Sequence, residues 1–344
     1  MISSVHDGGS PRARKILIDS DTAVDDAPGI LSCLVDPDVE VVGITTLAGN
    51  VALRHTTANA LRALDLTGVQ VPVVPGAERT LSGTATVHVP HVHGPEGHGN
   101  LEVGPPKARA AEGEAAWDFI GRQIAEHRGE LTIVSSGPLT NLALAVLAHR
   151  AAFDRYRPRV VWMGGAIEHS GNVSPVAEFN AAADPEAAAV VLSAGLDLTV
   201  LPLDVTERAP HLPGAIVLTE ADTDRLLREG NPLGVYIGAI SGAYIDFYEG
   251  VFGARACPLH SALAMRIAAD PTLVVQEDWM PLAVETAGRL TRGMTVADRT
   301  HLRLPPRQQS IPPGSARIVR EVDGRRFLGD LDRVLTDPSL GVAI

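Results

Sequence analysis

Four aspartates, Asp19, Asp21, Asp25 and Asp26, fall within eight residues of the stretch KILIDSDTAVDDA (15–27), directly behind the apolar run Ile16, Leu17, Ile18. Crowded carboxylates repel, and burying them behind a hydrophobic strand requires a compensating cation or proton. Asp19 and Asp21 share one face of an extended strand end. Asp25 and Asp26 open the next helix, where the dipole and unpaired N–H groups favour negative charge. Capping can use one aspartate, such as Asp25; it cannot use all four. A hard divalent cation bound through oxygen, calcium or magnesium, accounts for the whole group. An EF-hand is excluded, because Val24 and Ile30 stand where its glycine and its bidentate glutamate belong. Further along, Glu178 and Asn180 share a face on either side of Phe179, an arrangement suited to sugar hydroxyls. His88, His91, His93 and His98 cluster without the spacing of a transition-metal site.

The elements that must position these groups alternate along the chain. KILID, VEVVGITT, VPVVPG, LTIVSS, RVVWMGG and LTVLPLDV read as buried strands bounded by Gly, Pro or Asp. Between them, APGILSCLVD, RHTTANALRALD, AAWDFIGRQIAEH, PLTNLALAVLAHR and PEAAAVVLSAG read as helices. Strand–helix alternation predicts an α/β fold: a mostly parallel central sheet with helices on both faces. Ligands of such sheets sit beyond the carboxyl ends of the strands, where the aspartate cluster lies. Residues 76–110 and 164–180 are long irregular stretches of the kind that carry function. GVYIGAISGAYIDFYEG and LHSALAMRIAADP follow as helices, and 272–344 reads as strands with a short final helix. No repeat or linker divides the chain, so residues 15–344 form one expected domain behind a disordered leader, residues 1–14.

Composition narrows the partners. The 344 residues carry a formal charge of -12, which argues against nucleic acid and anionic membrane. Cys33 and Cys257 are too few for a disulfide framework, and the N-terminus has no apolar signal region, so a soluble cytoplasmic protein is expected.

The motifs in order resemble the inosine/uridine-type nucleoside hydrolases. Asp-x-Asp-x-x-x-Asp-Asp matches Asp19, Asp21, Asp25 and Asp26; LAGNV contains Asn50; HGPEG runs from His93 to Gly97; GPLTN spans 137–141. MGG at 163–165, GNVSPVAEFN at 171–180 and DPEA at 184–187 complete a likeness that extends over roughly residues 15–275. The resemblance implies hydrolysis of ribonucleosides to ribose and base, with calcium as cofactor and a homodimer or homotetramer as the assembly. It implies that Asp21, Asp26 and the Ser136 carbonyl hold calcium and that Asp21 is general base toward the attacking water. Asp25, Asn50, Asn172, Glu178 and Asn180 would bind ribose, and His260 would protonate the departing base. His93, Phe179 and Tyr236 are the expected base-pocket residues; Tyr244, flanked by apolar residues, reads as core.

Two positions depart from the family pattern. Ser261 replaces an aspartate that in the family is a metal ligand, which implies weaker calcium binding, and Ala23 replaces a common glycine. Ser261 motivates two alternatives, a silent nucleoside-binding protein and a hydrolase of modified nucleosides. A phosphatase of the haloacid dehalogenase type is more remote: Ala23 follows Asp19-Ser20-Asp21-Thr22, and no lysine follows Lys107 to hold phosphate.

Overall fold

The computed structural model describes residues 13–299 and 314–342; the expected leader therefore lies almost wholly outside the described residues. The chain begins β1 (Arg14–Ser20), α1 (Ala27–Val35), β2 (Val39–Thr46), α2 (Leu53–Thr67) and β3 (Val73–Pro75). It continues α3 (Pro90–His93), α4 (Ala116–His127), β4 (Leu131–Ser135), α5 (Thr140–Ala148), α6 (Arg150–Tyr156) and β5 (Arg159–Met163). Then come α7 (Phe179–Ala183), α8 (Pro185–Ser193), β6 (Asp197–Leu201) and α9 (Leu203–Thr206). A small excursion follows: β7 (Val217–Thr219), α10 (Glu220–Glu229), α11 (Pro232–Phe252), β8 (Ala256–Pro258) and α12 (His260–Ala269). The end is β9 (Val274–Val284), β10 (Thr295–Ala297), β11 (Ser315–Val322) and α13 (Gly324–Thr336).

Nine strands form one sheet in the order β10-β9-β11-β6-β5-β4-β1-β2-β3, parallel from β3 through β11, with β9 and β10 antiparallel at the far side. Alternation along β1 explains its burial on both faces. Ile16 and Ile18 join the core that includes Ile30, Leu31 and Phe327, whereas Leu17 joins the one that includes Phe119 and Trp162. All three are 0% exposed. The C-terminal region therefore extends the same sheet, and α13 packs on the same core. Among the described residues no helix is long and apolar enough to cross a membrane.

Two expected elements differ in extent. LTVLPLDV is not one strand: β6 stops at Leu201, because Pro202 has no N–H for the ladder, and LDVT turns into α9. PLTNLALAVLAHR is not one helix either. Pro138 stays outside α5, and His149 leaves the helical region, ending α5 and starting α6. The His149 ring meets Asp118 of α4 at 2.8 Å.

Candidate active site

The sheet order turns at β1: β2 and β3 lie on one side of it, β4, β5 and β6 on the other. This is the switch point at which α/β sheets open a crevice beyond their strand ends. Asp19 closes β1 opposite Thr45 and Ser135, and its carboxyl accepts from the Thr45 hydroxyl (2.7 Å), the Ser135 hydroxyl (3.3 Å) and Asn141 Nδ2 (2.8 Å). Asp19 thus ties three strand ends together. Asp21 lies just beyond, fully buried, with Oδ2 accepting from the Asn50 N–H at 2.7 Å and Oδ1 accepting from nothing. Two glycines make room for that carboxylate. A Cβ on Gly49 would stand 2.0 Å from Oδ2, and one on Gly137 2.8 Å from Oδ1. The Ala-Gly-Asn and Gly-Pro-Leu-Thr-Asn motifs therefore lay bare backbone against Asp21.

Asp26 is equally buried, but it is satisfied by the Ala23 N–H (2.8 Å), the Ser20 hydroxyl (3.1 Å) and the Ser136 hydroxyl (2.6 Å). Asp25 is no helix cap. Its Oδ2 accepts from both the hydroxyl and the N–H of Ser261, at 2.8 and 3.2 Å, and its Oδ1 lies 4.0 Å from His93 Nδ1.

A cavity of about 540 Å³ opens over these groups, with Asp25, Asn50, Ser136, Glu178 and Asn180 lining its polar end. Asp21 and Asp26 sit behind that floor, coupled to it through Asn50 and Ser136. Glu178 is the N-cap of α7, accepting from the Gly165, Asn180 and Ala181 N–H groups. Asn180 Nδ2 donates to the carbonyls of Ser136 (3.0 Å) and Met163 (3.1 Å). Asn172 is exposed at the rim, its side-chain oxygen accepting from the Phe179 N–H. His93, Phe179 and His260 also line the cavity.

Tyr236 does not. Tyr236 lies near Arg62, whereas Tyr244 and Tyr248 line the cavity. Tyr244 is both core and wall: only 2% exposed, it stacks on His93 with ring centroids 4.9 Å apart. Thr206, Glu207 and Tyr248 were not singled out from the sequence. Their signals were a polar Thr-Glu pair just past a strand end and a tyrosine four residues after Tyr244.

Burial governs the electrostatics. It pushes the Asp19 carboxyl up to about 6, and the Glu178 carboxyl up to about 7. Burial and then the neighbouring Asp25 push Asp26 up to about 7; burial and then Asp26 hold Asp21 well above the usual carboxylate range. Each group sits above its unfolded value, so the folded state resists ionisation. The resulting cost is absent below about pH 4, grows as pH rises through the folded values near 6 to 7, and is complete above them. In chelator, thermal melting is therefore expected at higher temperature at pH 5 than at pH 8, and calcium added at pH 8 should restore it. Equal melting at the two pH values would count against buried, uncompensated carboxylates.

These donors fit a hard cation: an unpartnered buried carboxylate oxygen, a second buried carboxylate and a backbone carbonyl. Among the described residues no three His, Cys, Asp or Glu side chains gather as a closed metal cage. A cation here would therefore rely on water and ligand oxygens for the rest of its shell.

The sequence profile of the "Inosine-uridine preferring nucleoside hydrolase" family matches residues 16–329. The "Probable uridine nucleosidase 2" of Arabidopsis thaliana is 35% identical over 285 residues, covering 82% of this chain and 85% of that one. The "Inosine-uridine preferring nucleoside hydrolase" of Leishmania major is 35% identical over 287 residues, covering 83% and 88%. Among solved structures, the plant nucleoside hydrolase PpNRh1 superposes with a TM-score of 0.84 at 30% identity, covering 96% of this chain and 100% of that one. The purine-preferring ribonucleoside hydrolase of Gardnerella vaginalis gives 0.83 at 31% identity, covering 94% and 99%. A crevice at the sheet's switch point, a carboxylate floor and whole-domain similarity agree: the chain belongs to the inosine-uridine preferring nucleoside hydrolase family and hydrolyses the N-glycosidic bond of ribonucleosides.

Proposed function

We propose that the substrates are uridine- and inosine-type ribonucleosides, and that a hard divalent cation, calcium, is held by Asp21, Asp26 and the Ser136 carbonyl. The observation that carries this reading is the single unpartnered oxygen of Asp21, buried beneath a floor of polar groups. When bound, the cation supplies a local positive charge that eases deprotonation of water and orders vicinal hydroxyls. Asp21 takes the proton of the attacking water as general base, its Oδ2 held by the Asn50 N–H and its Oδ1 left without a hydrogen-bond partner.

Asp25, Asn50, Asn172, Glu178 and Asn180 grip the ribose hydroxyls. Hydrogen bonds that tighten as the sugar gains oxocarbenium character accelerate the reaction, whereas uniformly tight ones would only lower KM. Ser261 serves Asp25 in this reading: its hydroxyl donates to that carboxylate at 2.8 Å and, being neutral, adds no charge to the cation site. His260 assists the departing base, with His93 and Phe179 lining the same cavity. Burial pushes the His260 imidazole down to about 4, so at neutral pH the ring is neutral and its one N–H is what it can donate.

A panel of nucleosides assayed for reducing sugar, with calcium and with chelator, tests the assignment. Uridine or inosine should release ribose, and chelator should slow that release several-fold. Turnover indifferent to chelator would remove the cation from the mechanism; binding without turnover would favour a silent binder.

A further inference from the structure

Two of the groups assigned to ribose, Asn172 and Glu178, stand on the stretch 164–180, which has no helix until α7 begins at Phe179. So irregular a segment needs an external hold, because a small displacement of a substrate-gripping group is costly in rate. The hold comes from the far edge of the sheet. Thr295, the first residue of β10 and 2% exposed, uses one hydroxyl twice on a single residue. Its Oγ1 donates to the Ala166 carbonyl at 2.7 Å and accepts from the Ala166 N–H at 2.9 Å. The preceding Gly165 has φ +80°, and a Cβ there would stand 2.9 Å from Thr295 Cγ2, so the chain runs flush against the threonine. The Gly165 N–H in turn donates to Glu178 Oε2 at 2.8 Å. At the other end of the loop Ala177, next to Glu178, forms an antiparallel bridge with Met294, next to Thr295.

Met294 and Thr295 therefore grip the loop at both ends, Ala166 and Ala177. Between the grips lie His169, Asn172 and Val173, which line the cavity. Ile167 and Glu168 are tied separately, their N–H groups donating to the Asp204 carboxylate at 2.8 and 2.7 Å. The hairpin that supplies the grip is itself anchored. β10 pairs with β9, and Arg292 makes a two-bonded ion pair with Glu186 of α8 at 2.7 and 2.8 Å. Gly293 lies so close to α7 that a Cβ on it would stand 2.7 Å from Ala182 Cα. Among the described residues, none of 285–297 lines the cavity.

We propose that Thr295 is a positioning residue for the ribose grip: through Ala166 and Gly165 it sets the place of Glu178, and with Met294 it fixes the loop that carries Asn172. Thr295 itself touches no reactant. Both bonds depend on one hydroxyl, so valine, of nearly the same shape, would leave a buried N–H and a buried carbonyl unmet, whereas serine keeps both bonds. The coupling is reciprocal: a sugar that engages Glu178 and Asn172 should also steady the hairpin.

This inference rests on the ribose roles of Asn172 and Glu178, and the test keeps the two apart. Hydrogen exchange of the calcium-loaded natural protein is followed with and without saturating ribose. The expected result is slower exchange in 164–180 and in 285–297 together, although the hairpin does not reach the cavity. Protection confined to 164–180 overturns the coupling through Thr295 and leaves the ribose reading standing. Protection in neither segment overturns the ribose reading, and this inference with it. In T295V, kcat/KM for uridine or inosine should fall by about tenfold or more, and the ribose-dependent protection of 285–297 should vanish. T295S should stay within about threefold of the natural protein, since its hydroxyl makes the same two bonds. T295S as impaired as T295V, or T295V with natural kcat/KM, overturns the role of Thr295. The exchange measurement on the natural protein needs no variant, so a poorly folded T295V leaves the question decidable.

Discussion

Asp21→Ala is expected to lower kcat on the preferred nucleoside by about 10³-fold or more, because in the proposed mechanism general base and cation ligand vanish together. Asp21→Asn discriminates between loss of chemistry and loss of structure. Asparagine keeps an oxygen for the Asn50 N–H, which Asp21 Oδ2 now accepts at 2.7 Å, and it fills the same space between Gly49 and Gly137. What disappears is the charge, and with it basicity and hold on the cation. In chelator that same charge is a liability, since burial and Asp26 both disfavour it. The Asn variant should therefore melt at or above the temperature of the unaltered protein when calcium is absent, and gain less from added calcium. An inactive variant that is as stable as its parent, and blind to calcium by calorimetry, is the expected combination. Retained turnover in either variant would refute Asp21 as base.

The parts of the site visible in the sequence are those whose position follows from local pattern. A buried strand ending in acids fixes the depth of Asp21, and Ala-Gly-Asn and Gly-Pro-Leu-Thr-Asn each sit just past another parallel strand. The topology rule for such sheets then gathers them. Their detailed work was not legible. Asn141 looks like a residue of a helix start; in the fold it joins Asp19, the Thr46 carbonyl and the Ala77 N–H, a role defined by three strands distant in sequence. Tyr236 was preferred to Tyr244 for the base pocket because α11 is apolar for most of its length, so periodicity does not reveal its inward face. Eight helical steps place the two tyrosines roughly 80° apart, and contacts with α10 and α13 decide which one turns to the cavity. Tyr248 then follows Tyr244 on the same face. Glu207 escaped notice for another reason: LTVLPLDV reads as one strand through Pro202, whereas β6 stops at Leu201 and Glu207 follows the short helix α9.

The replacement that separates this chain from its family pattern can be reversed by one substitution, and the outcome carries two opposite signs. Ser261→Asp is expected to tighten calcium by about tenfold to a hundredfold, since affinity of such sites rises with the number of charged oxygen ligands. Without metal, the same substitution should destabilise the fold. Ser261 now gives a hydroxyl hydrogen to Asp25 at 2.8 Å in a site where it is itself only 3% exposed. An aspartate there has no hydrogen to offer when ionised and sets two buried carboxylates face to face, which costs stability until a cation compensates them. The melting temperature of the variant should therefore fall below that of its parent in chelator, and the deficit should shrink or invert as calcium is raised. Calorimetric titration gives the affinity independently of turnover. A variant that melts lower in chelator and binds calcium no more tightly would mean that position 261 works only through Asp25, and the cation would then owe its hold to Asp21, Asp26, Ser136 and the sugar.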